Sequence, residues 1–207
     1  MLFRSLIDAD PQSDLTHCLG WNGDKLEDSL GVLMHRSIME GTAGVKGTIL
    51  KHTEGVDLIP SNLELSSMET RLVNAMSREK VLDTLIKDVK KDYDYVLIDC
   101  MPSLGMLTVD ALTAADEIII PVQAQYLPTK GMTQLFRSIH LVQSHTNENL
   151  KVGGIVMTLV DVRTNLAKDV ISAIRTHYGM KIRIFDAQIP VAVKAAEAAK
   201  EIGRAHV

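Results

Sequence analysis

Tyr93-Asp94-Tyr95-Val96-Leu97-Ile98-Asp99-Cys100-Met101-Pro102-Ser103 runs four apolar or aromatic residues together, ends them on one carboxylate and then turns on a proline. A short unbroken apolar run of this kind predicts a strand buried on both faces, which belongs in a parallel sheet. Working outward, the same pattern recurs at Leu6-Ile7, Val56 to Ile59, Ile118 to Val122, Gly154 to Leu159 and Ile182 to Phe185. Helical periodicity fills the gaps between them. A helix is predicted after Ser77 as N-cap, with Val81, Leu82, Leu85, Ile86 and Val89 on one face. A second runs from about Lys130 to Ser144 with Leu135, Phe136, Ile139 and Val142 inward, and a third follows Asn165 with Leu166, Val170, Ile174 and Tyr178 on a stripe. Strands alternating with helices predict an α/β fold, a predominantly parallel sheet flanked by helices.

Two strand ends carry acids. Leu6-Ile7-Asp8-Ala9-Asp10-Pro11-Gln12 is an apolar strand that stops on two carboxylates and a proline. In open α/β sheets the carboxyl ends of the strands face the ligand crevice. Asp8 and Asp10 therefore suit a bound cation or an activated water, although an acidic turn with Asp10 or Ser13 capping the next helix explains them equally well. Asp99 ends its strand in the manner of a Walker B motif, where the carboxylate holds Mg²⁺ through water beside nucleotide phosphates. Cys100, with no histidine or base near it in sequence, reads as a buried thiol and not a nucleophile.

Composition narrows the classes. The 207 residues are 46% hydrophobic and 23% charged, which is globular, and no apolar run approaches the about 20 residues of a membrane span. Two distant cysteines exclude a disulfide scaffold and favour a reducing compartment. A net charge of -4 excludes a global basic field, so any nucleic-acid contact needs a local patch. Leu2-Phe3-Arg4-Ser5 and Glu201-Ile202-Gly203-Arg204-Ala205-His206-Val207 each translate part of a common sequencing adapter. Residues 1–5 and 201–207 are thus expected to be foreign and 6–200 to be a single partial ATPase domain, truncated before its first strand.

These motifs resemble one family along essentially the whole of 6–200. LIDADPQ, VDLIPSNLELSSMETRLV, DYDYVLIDCMPSLGMLTVDALTAAD, IIIPVQAQYLPTKGMTQL and LVDVRTNLAKDV are similar to the ParA/Soj partition ATPases of the deviant Walker A class, nearest to the branch on plasmids and integrative conjugative elements. The resemblance implies a P-loop NTPase-like fold in which Asp10 positions or activates the attacking water, Asp8 lies beside phosphates and metal, and Asp99 supports Mg²⁺. It implies ATP and Mg²⁺ as cofactors, an ATP-bound homodimer, nonspecific DNA and a ParB-type centromere-binding protein as partners, and a cytoplasmic, nucleoid-associated location without a membrane. Pro190 would lie near the adenine, with Asp161 and Arg163 reaching the nucleotide or the dimer partner. A strand-to-helix turn accounts for Pro190 as well, and a salt-bridged turn for the other two. Arg163, Lys168, Arg175 and Lys194 would make the basic patch for DNA phosphates, or simply solvated helix faces. Met101 and Val191 depart from the family's usual proline and arginine. The KGGxGKT loop that cradles phosphates should lie about 30 residues before Asp8, and no GKT or GKS occurs in the sequence. This chain is accordingly expected to bind ATP weakly, and its parent to hydrolyse it. The alternatives are a membrane-associated positioning ATPase like MinD and a non-catalytic fragment that only dimerises.

Overall fold

The computed structural model describes residues 4–41, 44–87, 89–125, 129–193 and 197. Its strands are β1 (Arg4–Ala9), β2 (Leu50–Lys51), β3 (Val56–Ile59), β4 (Tyr95–Cys100), β5 (Glu117–Gln123), β6 (Lys151–Val160) and β7 (Ile184–Pro190). Between them lie α1 (Asp14–Cys18), α2 (Leu30–Glu40), α3 (Leu65–Val73), α4 (Val81–Ile86), α5 (Met106–Ala114), α6 (Thr129–His145) and α7 (Asn165–Tyr178). They fall into two compact units, one within Met1–Ala115 and the other within Asp116–Ala198.

In the first unit β1 is central. The sheet order is β2-β3-β1-β4, with β1 parallel to both β3 and β4 and the two-residue β2 antiparallel at the edge. Ile7, Ala9 and Ile59 lie in one apolar core with Leu30, Leu33 and Met34 of α2, Leu65, Met68 and Leu72 of α3, and Leu82, Leu85 and Ile86 of α4. Val96 and Ile98 of β4 pack against the same core, while Tyr95 and Leu97, which alternate with them, are 59% and 53% exposed. Among the described residues β4 is paired only with β1. In the second unit β5, β6 and β7 form a wholly parallel sheet, in which, among the described residues, β5 is paired only with β6.

The predominantly parallel α/β fold expected from the sequence is present, and its departures have local causes. The last strand starts at Ile184 instead of Ile182, because the N–H groups of Lys181 and Ile182 donate back to the Tyr178 carbonyl in the turn that ends α7. The helix expected after Ser77 is a 3₁₀ turn, Arg78–Lys80, followed by the short α4. Ser77 has φ 51, in the left-handed region, and its side chain caps nothing. The apolar stripe is nevertheless buried as expected, from Val81 to Val89. On α7, Val170 and Ile174 are buried but Leu166 is 57% exposed. Phe136 of α6 is half-buried and meets Tyr178 of α7 at a centroid distance of 5.5 Å.

Candidate nucleotide and phosphate site

The β1–β4 register decides which acids meet. Parallel pairing sets Asp8 opposite Asp99 and Ala9 opposite Cys100, so two carboxylates stand side by side at the carboxyl ends of adjacent strands. Asp10 follows directly, with its own carboxylate accepting the Gln12 N–H at 2.9 Å. Burial raises the pKa of Asp99 above the ordinary aspartate value, and the charges of Asp8, Asp10 and Asp14 raise it further. Such a concentration of negative charge suits a divalent cation. Among the described residues no three acidic, histidine or cysteine side chains converge to hold one unaided, so phosphate and water oxygens would have to complete its shell. The donor set is oxygen only, which fits Mg²⁺. Cys100 is exposed at the end of β4, not buried as expected, yet desolvation followed by the Asp99 and Asp10 carboxylates pushes its thiol up to about 12, away from a nucleophile's range.

Asp8 behaves differently from its neighbours. It is fully buried. One carboxylate oxygen accepts the Thr16 N–H at 2.9 Å and the Thr16 hydroxyl at 2.6 Å, and the other accepts the Asp10 N–H at 3.2 Å. Desolvation raises its pKa, and the Thr16 and Asp10 donors oppose the rise. Ser13, between them, starts α1 with φ 55 and donates its hydroxyl to the Gln12 carbonyl.

At the end of the second unit's sheet, Val160 of β6 pairs with Pro190 of β7, and the Val191 N–H donates to the Val160 carbonyl. Asp161 and Arg163 therefore emerge beside Pro190. Arg163 grips Asp161 through two side-chain contacts of 2.8 Å, and this pairing holds the Asp161 carboxyl down to about 2. The salt-bridged turn weighed in the sequence is what forms. Lys168 and Arg175 of α7 line an open groove of about 630 Å³ together with Val162, Ile171 and Gln188, and Arg175 lies 3.7 Å from Asp186. Lys194 lies outside the described residues.

A family model described as an AAA domain matches residues 5–152. The chain is 38% identical over 194 residues to the sporulation initiation inhibitor protein Soj of Bacillus subtilis, covering 93% of this chain and 74% of that protein. It is 36% identical over 196 residues to the chromosome partitioning protein ParA of Caulobacter vibrioides, covering 93% and 71%. This chain belongs to the ParA/Soj family of ATPases. A cobyrinic acid a,c-diamide synthase from Mycobacterium smegmatis, crystallised with ADP and magnesium, shares the fold at a TM-score of 0.84 and 35% identity, over 99% of this chain and 81% of that one. The ParA/Soj assignment matches the resemblance carried by LIDADPQ and YVLIDC, and the fold likeness confirms the P-loop NTPase class.

Some residues of this ParA/Soj chain gave no local signal in the sequence. Thr16 reaches Asp8 across eight positions and also accepts the Ser61 N–H at 3.0 Å across 45. Asp110 was legible in principle, since it is an acid in the middle of the apolar LTVDALTA run, and it is fully buried with the Leu82 N–H donating to it at 3.0 Å.

Proposed function

We propose that this chain is the larger part of an ATP-hydrolysing partition protein whose phosphate-cradling KGGxGKT loop precedes Leu6 in the parent. The observation that carries the reading is the β1–β4 register, which places Asp99 next to the Asp8–Asp10 turn at the carboxyl ends of two parallel strands. Phosphoryl transfer needs positioning and charge neutralisation more than covalent chemistry. Asp10 would orient the attacking water and accept its proton, and Asp99 would help to hold Mg²⁺ through water. Mg²⁺, when bound, supplies neutralisation of the phosphate oxygens. Asp8 keeps Asp10 in place from beneath. In the second unit, Pro190 takes the adenine side with Asp161 and Arg163 beside it, while Arg163, Lys168 and Arg175, together with Lys194, meet DNA phosphates without reading sequence. The parent dimerises on ATP, binds DNA nonspecifically, releases it on hydrolysis stimulated by a ParB-type partner, and so distributes plasmid, chromosomal or mobile-element DNA in the cytoplasm at the nucleoid.

The test is phosphate release by the chain joined to its upstream KGGxGKT segment. Asp10→Ala and Asp99→Ala are each expected to lower the rate by about 10²-fold or more. Undiminished hydrolysis in both variants overturns the assignment. The 207-residue chain alone is expected to give little or no ATP-binding heat in calorimetry.

A further inference from the structure

We infer that Thr16 is a positioning residue that pins the Asp10 turn, and that Asp8 serves the site as the anchor of that pin and not as a metal ligand. The inference rests on reading Asp10 as the water-orienting carboxylate. It starts from a chain of hydrogen bonds with one direction: the Ser61 N–H donates to the Thr16 hydroxyl at 3.0 Å, and that hydroxyl donates to Asp8 at 2.6 Å. Thr16, Ser61 and Asp8 are all fully buried, so each bond lies where an unmet polar group is costly.

Three segments meet in this column. Asp8 is the penultimate residue of β1, Thr16 belongs to α1, and Ser61 follows β3 after Pro60. Three donors already meet the Asp8 carboxylate, with Thr16 taking one oxygen twice and the Asp10 N–H taking the other. Three of the about four lone-pair sites of this carboxylate are taken by chain donors and the group is sealed from solvent, which leaves it poorly placed to hold a cation. Asp99 in the next strand is exposed and has that freedom. The five residues from Pro11 to Leu15 are thus clamped at both ends by one carboxylate, which fixes the direction in which Asp10 leaves the strand. Only a hydroxyl can both receive from Ser61 and give to Asp8, so valine, of matching shape, breaks the column while serine preserves it.

The test is hydrogen exchange and proton NMR on the 207-residue chain without nucleotide. In the unaltered chain the Thr16 hydroxyl proton is expected as a resolved, slowly exchanging resonance. Thr16→Val is expected to speed exchange at the Asp10, Gln12 and Ser61 amides by about ten-fold, with Ile7 and Ile59 unchanged. Thr16→Ser is expected to restore the rates. The inference falls if the hydroxyl resonance exchanges freely, if Thr16→Val leaves the Gln12 amide at its original rate, or if Thr16→Ser behaves like Thr16→Val. Should Thr16→Val fail to fold, the hydroxyl resonance and the Thr16→Ser rates decide. None of these readouts requires hydrolysis, so a failure here is separate from a failure of the phosphate-release test.

Discussion

Asp110 shows how much one buried carboxyl can change. Burial pushes its pKa up to about 7; the Leu82 N–H opposes the rise, and Glu79 and Asp83 add to it. The ordinary value is 3.8. A folded-state pKa raised above the unfolded one means that the folded chain holds this proton more tightly. Its stabilising contribution is complete below about pH 4 and is lost as pH rises through about 7, a change on the order of 4 kcal/mol at 1.36 kcal/mol per unit. Urea midpoints are therefore expected to fall between pH 5 and pH 8, and Asp110→Asn to flatten that fall, because the amide oxygen keeps accepting from Leu82 without a charge to bury. An equally steep fall in the variant would assign it to other groups. Ser77 is a simpler case. At φ 51 an L side chain is strained where glycine is not, and the Ser77 side chain makes no cap bond to lose. Ser77→Gly is expected to raise unfolding free energy by about 1 kcal/mol in the same measurement.

Helix beginnings separate what the sequence could tell from what it could not. Thr164 caps α7 by accepting from the Ala167 N–H at 3.2 Å, and Ser29 caps α2 by accepting from Val32, so both helices begin on a local signal. The helices α4 and α5 do not. The N-terminus of α4 is met by Asp110 of α5, and that of α5 by Glu69 of α3, whose carboxylate accepts the Met106 and Leu107 N–H groups at 2.9 and 3.3 Å. Gly105 precedes α5 without a capping side chain, and a Cβ there would lie 2.4 Å from a Glu69 oxygen. The strand tips were legible because burial on both faces writes itself as an apolar run ending in an acid. Ser77 misled because the cap it was expected to provide comes from 33 positions away, at Asp110, and Thr16 was silent for the same reason. Glu69→Ala is expected to cost about 1 kcal/mol by leaving two N–H groups and the positive helix end unmet. Glu69→Gln should recover part of that, since it keeps an acceptor but loses the charge. Chemical denaturation of the three proteins distinguishes a cap from mere packing of the Glu69 stem, for which glutamine would restore everything.

At the scale of the whole molecule, four strands lie at sheet edges among the described residues, the two-residue β2 and β4 in the first unit and β5 and β7 in the second. β4 is bonded on one side by β1, and β5 on one side by β6. Both present apolar side chains to solvent: Tyr95 and Leu97 on β4, and Ile119 on β5, which is 54% exposed. A parallel sheet normally has helices on its faces and short or charged edges, because a free edge with apolar side chains invites another strand to pair with it. Ile189 of the edge strand β7 is 51% exposed as well, whereas Leu141 and Leu166 sit on helices and Met76 and Met180 in turns, where no strand can add. Self-association should therefore start at these strand edges and leave the helices alone. The 207-residue chain is expected to scatter light increasingly with concentration at neutral pH. Leu97→Lys and Ile119→Lys, each adding a charge to an exposed position of an edge strand, are expected to suppress that scattering additively while moving the urea midpoint little, since surface changes away from caps and cores stay within about 0.5 kcal/mol. A lysine at Met180 serves as the comparison. It adds the same charge to the same chain, and if it suppressed scattering as well as the edge substitutions did, net charge and not strand pairing would be the cause.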